Sequence, residues 1–203
     1  MRTNLILAFS LSLILFSFRK PAAPTVQYKL IPDSSLVVWY CQENNAMHSG
    51  SFMFVGGSFT FENNLLTAGN FELDMKSLVD NDLRNADQNT TLVNRLKSTA
   101  LFNTADYPRA RFIITKPVHL SGQQYELEAN MTIKGHTRPV RMQIAIALKD
   151  GMLGIVSTDM LIEGVQFGLK TGSQANSTES DLKNFKIKIS QLYASKITKR
   201  PGY

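Results

Sequence analysis

At 203 residues, with 43% apolar and 19% charged side chains, the chain is long enough to bury one sizeable core and too apolar to be disordered or fibrous. Its formal charge of +6 does not mark a nucleic-acid partner. Half of it resides in Arg2, Arg19 and Lys20, and much of the rest in Lys183, Lys186, Lys188, Lys196, Lys199 and Arg200, interleaved with apolar residues as on a solvated strand face.

The N-terminus follows the secretory pattern, with Arg2 ahead of the apolar run Leu5 to Phe18 and the small residues Ala22 and Ala23 after it. That run is shorter than the roughly 20 residues of a transmembrane helix, so residues 1–23 are expected to be a signal peptide, with an uncleaved anchor as the alternative. The domain then covers residues 24–193, and residues 194–203 are expected to form a basic tail.

From there the pattern is almost entirely period two, which predicts half-buried strands. The first strand runs from Val26 to Ile31. Trp39, Tyr40 and Cys41 follow in an apolar strand, where the single cysteine excludes an intramolecular disulfide and reads as a buried, inert thiol. Phe52 and Phe54, then Phe59 and Phe61, then Phe71, Leu73 and Met75 read as a meander punctuated by Gly56-Gly57 and Glu62-Asn63-Asn64. Asp80 to Ser98 breaks the alternation and suits one or two short helices, the second capped by Asp87. Tyr125 to Ile133 and Val140 to Leu148 form a hairpin about Gly135, and Asp150-Gly151 turns into a strand from Met152 to about Glu163. Thr171 to Ser180 reads as a polar loop, and the alternation of Phe185, Ile187 and Ile189 predicts a last strand that pairs with the first. Such closure removes both sheet edges, so the fold is expected to be all-β: a closed antiparallel barrel of about eight strands.

Few residues carry chemistry. His48, His119 and His136 are far apart in sequence and predict no metal site, no nucleophile elbow is present, and the glycine clusters lack phosphate-loop spacing. The apolar inventory stands out, with 12 Phe, 8 Met and 6 Tyr in a chain that is nearly all strand. Periodicity alone does not distinguish a barrel filled by these side chains from one that encloses a ligand.

The stretch Asn94-Arg95-Leu96-Lys97-Ser98-Thr99-Ala100-Leu101-Phe102-Asn103-Thr104-Ala105-Asp106-Tyr107-Pro108, followed by Ala110-Arg111-Phe112, resembles the central signature of the YceI-like family. Met131-Thr132-Ile133-Lys134-Gly135-His136-Thr137-Arg138-Pro139-Val140 is similar to a second family motif, and weaker echoes extend the resemblance from Tyr28 to Ile189. Departures fall at Arg95, where the family has His, at Leu101 and Asn103, and at Glu163 to Gly168.

The resemblance implies an exported, lipocalin-like barrel that holds a polyisoprenoid or isoprenoid-quinone tail and is not an enzyme. Its expected apolar lining is Trp39, Phe52, Phe54, Phe71, Met75, Phe112, Met131 and Phe167, with Arg95 or Lys97 near a polar head. No cofactor beyond the lipid itself is implied. Transient membrane contact and a homodimer are compatible with this reading. The alternatives are a filled, structural or stress-linked envelope barrel and an enzyme built on His48 with His136.

Overall fold

The structure, a computed structural model, describes residues 24–43, 46–169 and 183–197. The expected signal segment 1–23, the stretch 171–180 expected as a polar loop and the end of the expected basic tail lie outside the described residues.

Ten strands form one antiparallel sheet that closes on itself: β1 (Thr25–Leu30), β2 (Leu36–Glu43), β3 (Ala46–Glu62), β4 (Leu65–Asp80), β5 (Arg109–His119), β6 (Gln124–Ile133), β7 (His136–Lys149), β8 (Met152–Ser157), β9 (Met160–Leu161) and β10 (Lys183–Lys196). They make eight staves. β1 and β2 both run antiparallel between β3 and β10, with Thr25 opposite Glu62 and Val37 opposite Phe52, so they are one stave broken by the one-turn 3-10 helix Pro32–Ser34. β8 and β9, both paired with β10, are another. The barrel of about eight strands expected from periodicity is therefore what forms.

A buried serine mends each break. Pro32 has no N–H for a ladder; Ser35 Oγ bridges the gap, donating to the Ile31 carbonyl at 2.7 Å and accepting from the Tyr193 N–H at 2.9 Å. On the opposite side of β10, Ser157 Oγ accepts from the Ile189 N–H at 2.8 Å. This is why the strand expected over Met152 to Glu163 stops at Ser157 and resumes at Met160. The last strand meets the first through its end, Tyr193 to Lys196, since Lys186 to Ile189 lie against Val37 to Tyr40. It continues to Lys196, past the expected domain boundary at residue 193.

Among the described residues, three two-residue turns have positive φ at both positions, Asn63-Asn64, Lys134-Gly135 and Asp150-Gly151, the geometry that matches hairpin twist. Gly56-Gly57 is not a turn. β3 runs straight through it with a bulge between Phe54 and Gly56, and the extra residue shifts parity so that Phe52 and Phe54 face the same side as Phe59 and Phe61. A second bulge, in β4 after Met75, turns Leu78 and Asp80 inward and is held by Ser77 Oγ, which donates to the Asp74 carbonyl at 2.6 Å and accepts from the Met53 N–H at 2.8 Å.

Between β4 and β5 lies one helix, α1 (Ala86–Lys97). Asn85 caps it, accepting from the N–H groups of Asp87 and Gln88 at 3.0 Å each, so Asp87 sits in the first turn instead of at the cap. There its carboxylate opposes the positive helix end. α1 turns Leu92 and Leu96 onto the barrel end defined by the β2–β3 hairpin, the end of β4 and the β6–β7 turn. That end is called the mouth below.

Candidate functional site

The inward rows of the wall enclose one apolar interior. All eight residues expected to line it, Trp39, Phe52, Phe54, Phe71, Met75, Phe112, Met131 and Phe167, are buried. Seven stand on wall strands, whereas Phe167 ends a one-turn 3-10 helix, Gly164–Phe167. Phe71 stacks on Phe112 with ring centroids 4.7 Å apart, and Phe54 meets Phe71 edge-on at 5.4 Å.

Nearer the mouth a second chain of rings crosses the interior. Trp39 stacks on Phe185 at 5.9 Å, Phe185 meets Phe102 at 5.0 Å, and Phe102 meets Phe52 at 6.3 Å. Phe102 does not belong to the wall. It enters from the connection between α1 and β5, with Leu101, Leu92 and Leu96 buried beside it. Phe102 and Phe185 are not among the lining residues expected from sequence, although Phe102 lies in the family-like motif and Phe185 in an alternating run. Only the folding of the connection over the mouth brings them together.

That cover is tied to the wall through Lys134 at the β6–β7 turn. Its Nζ donates to the carbonyls of Thr99 at 2.8 Å and Gly168 at 3.0 Å, so one ammonium holds the α1–β5 connection and the 3-10 segment at once. Arg95 and Lys97, the candidates for a polar head, sit half-buried on the last turn of α1. Arg95 lies within electrostatic reach of the inward-facing Cys41. Burial, reinforced by Asp82 and Asp80, outweighs that cation and pushes the thiol up to about 12. Cys41 is thus a buried, protonated thiol.

Three polar side chains meet at the mouth beside it. His48, opposite Cys41 across β2 and β3, places Nδ1 3.2 Å from Asp82 Oδ2, and Asp82 Oδ1 accepts from the Ser49 N–H at 2.7 Å. Asp80, turned inward by the β4 bulge, accepts at Oδ1 from the Leu83 N–H and from Asn89 Nδ2, both at 2.9 Å. Burial raises the Asp80 carboxyl above its ordinary range. For Asp82, burial also pushes upward, but the Ser49 N–H, Asp80 and His48 together hold it below the ordinary value. His48 does not pair with His136. The latter packs against Gly168, and His119 rests on Tyr125 with its Nε2 2.8 Å from the Gly122 carbonyl. The fold therefore gives the three histidines three different neighbourhoods.

The profile of the YceI-like domain matches residues 28–198. The chain belongs to the YceI-like family. Among solved structures it is similar to BcnA of Burkholderia cenocepacia, at 17% identity and a TM-score of 0.64, covering 83% of this chain and 99% of that one. The YCEI protein of Campylobacter jejuni is also similar, at 15% identity and a TM-score of 0.49, covering 98% of this chain and 100% of that one. No curated protein matches. On this YceI-like barrel, the family-like motif from Asn94 to Pro108 is the mouth cover, and the motif from Met131 to Val140 is the hairpin whose Lys134 fastens it.

Two cavities lined wholly by described residues, of about 210 and 230 Å³, open on the outer wall. One lies between Gln124, Gln143 and Val156; the other is a trough of small side chains, Ala145, Ala147 and Gly154, beside Tyr193.

Proposed function

We propose that this protein binds a long apolar molecule, a polyisoprenoid or the isoprenoid tail of a quinone, in its barrel interior and carries or stores it without catalysis. The observation that supports this most directly is the origin of the mouth cover. The wall is a closed ladder that cannot open without breaking backbone hydrogen bonds, whereas Leu92, Leu96, Leu101 and Phe102 reach the interior from a connection outside it. Withdrawing those side chains exposes an interior end lined by Trp39, Phe52 and Phe185, and an isoprenoid tail would replace the lost apolar contacts. Such a tail is held by burial, worth roughly 25 cal/mol per Å² before the cost of ordering it. Arg95, near the mouth and inward enough to act on Cys41, is the better placed of the two candidates for a polar head.

The same proposal includes export through residues 1–23 to the periplasm or beyond. Mass measurement of the mature N-terminus after cell fractionation tests that part separately.

One observation favours a second reading, a filled structural barrel: the aromatic rings already touch across the interior from Trp39 to Phe52. Organic extraction and native mass spectrometry of the purified protein discriminate the two. The carrier reading expects a co-purifying isoprenoid, or uptake of added polyprenol at one per chain. Protein that is repeatedly empty and takes up neither polyprenol nor quinone establishes the filled barrel instead.

A further inference from the structure

The polar cluster at the mouth has no part in holding an apolar tail, and its arrangement calls for a separate account. We infer that His48, Asp80 and Asp82 form a binding site for a divalent transition-metal ion of the zinc class.

His48 is brought beside Asp80 and Asp82, near neighbours in sequence, by local features of the wall. His48 faces inward because it stands opposite Cys41 in the β2–β3 register. Asp80 faces inward because of the β4 bulge, and Asp82 follows it two residues later, where the chain leaves the barrel toward α1. The result is one nitrogen and two carboxylate donors with all ligand atoms within 4.8 Å of one another. Bonds of about 2.0–2.1 Å to a tetrahedral zinc place neighbouring donor atoms roughly 3.3 Å apart. His48 Nδ1 and Asp82 Oδ2, at 3.2 Å, already have that separation.

The independent observation is the second oxygen of Asp80. This residue is only 8% exposed, its Oδ1 is fixed by Leu83 N–H and Asn89 Nδ2, and its Oδ2 is buried with no hydrogen-bond donor. Buried acceptors are rarely left this way. The carboxylate of Asp82 lies beside it, one ligand atom of each within 4.8 Å of the other. Two carboxyl groups this close need either a shared proton or a cation between them. An imidazole beside them selects for a borderline metal such as zinc over calcium or magnesium, which take oxygen ligands. Leu83 and Asn89 then act as the supporting partners that aim the Asp80 carboxylate, and three protein ligands leave a fourth position for water or an incoming group.

The test is native mass spectrometry and titration calorimetry of the full mature chain with zinc chloride alone, after chelator treatment. The expected result is one zinc per chain, not displaced by excess calcium or magnesium. Asp80→Asn and His48→Gln should each weaken binding by at least roughly tenfold, the loss that removing a mere supporting partner produces. Circular dichroism checks that each variant folds; if Asp80→Asn does not, His48→Gln carries the test. No zinc bound to the wild type, or zinc bound equally by wild type and folded variants, overturns the site and leaves a shared proton as the reason for the carboxylate pair.

Discussion

Lys134, at the β6–β7 turn, and Thr99, in the connection from α1 to β5, are joined by a 2.8 Å hydrogen bond from the Lys134 ammonium to the Thr99 carbonyl. The same ammonium reaches Gly168, so removing it frees two segments together. Lys134→Met keeps the length of the stem and discards the donors. It is expected to destabilise the fold by about 1.5–3 kcal/mol, the range for hydrogen bonds to charged groups. In the carrier reading it should also speed release of bound polyprenol, measured by transfer to acceptor vesicles. An unchanged release rate would separate the clamp from ligand exchange.

Phe102→Ala tests whether the mouth ring is a cover or part of a permanent core. Loss of a buried Phe costs about 3–5 kcal/mol when nothing refills the space. If the space belongs to a ligand, saturating polyprenol should restore stability, about 2.7 kcal/mol at 100 times its Kd. Urea unfolding with and without polyprenol gives both numbers, with Phe112→Ala as a wall control. A loss that polyprenol leaves untouched favours the filled barrel.

At Gly50 the backbone approaches so closely that a Cβ would lie 1.9 Å from the Val79 carbonyl and 2.4 Å from the Trp39 indole, whose Nε1 donates to that same carbonyl at 3.1 Å. Gly50→Ala must therefore displace the indole or part β3 from β4, and is expected to cost at least the 1–3 kcal/mol, roughly, of an overpacked core. Gly56→Ala, where a Cβ would meet nothing within 4 Å, should stay within about 0.5 kcal/mol of wild type. Denaturant midpoints of the pair read the difference directly.

Much of this architecture was legible because a barrel wall is written in period two. Tyr125 to Ile133 and Val140 to Leu148 fall on β6 and β7, and Trp39, Phe52, Phe54, Phe71, Met75, Phe112 and Met131 are buried on wall strands as a half-buried alternation implies, whereas Phe167 is buried from a 3-10 helix. What parity does not carry is a change of parity. The bulge after Phe54 adds one residue to β3 and the one after Met75 adds three to β4, each an odd number that reverses parity, so Gly56-Gly57 resembles a turn in sequence and Asp80 has no visible reason there to face inward. Asn85 is the cap and not the expected Asp87, two residues into the helix; both are good capping residues and only backbone geometry separates them. The polar cluster was hidden for a further reason: His48 and Asp82 are 34 residues apart and meet only where the start of β3 pairs with the end of β4.

The two carboxyl groups of that cluster should respond to pH in opposite senses. Asp80 is raised, chiefly by burial, so the folded chain holds a proton that the unfolded chain has released, and its contribution to stability falls as pH rises from about 4, the ordinary carboxyl range, through its own higher pKa. Asp82 is lowered despite its own burial, because the Ser49 N–H, Asp80 and His48 favour its charged form. Its contribution is therefore present above the ordinary carboxyl range and lost as pH falls through its depressed pKa. In chelator at neutral pH, Asp80→Asn keeps an acceptor for Leu83 and Asn89, removes a buried charge and turns a donor toward Asp82. It is expected to stabilise the protein by about 1 kcal/mol, whereas Asp82→Asn should destabilise it, with the latter deficit vanishing in acid. Urea unfolding across the acid range measures both. Adding zinc should reverse the ranking of Asp80→Asn and wild type, because only the chain with both carboxylates gains binding free energy on folding. If Asp80→Asn is as destabilising as Asp82→Asn at neutral pH, the two carboxyl groups are not opposed in the way their surroundings imply.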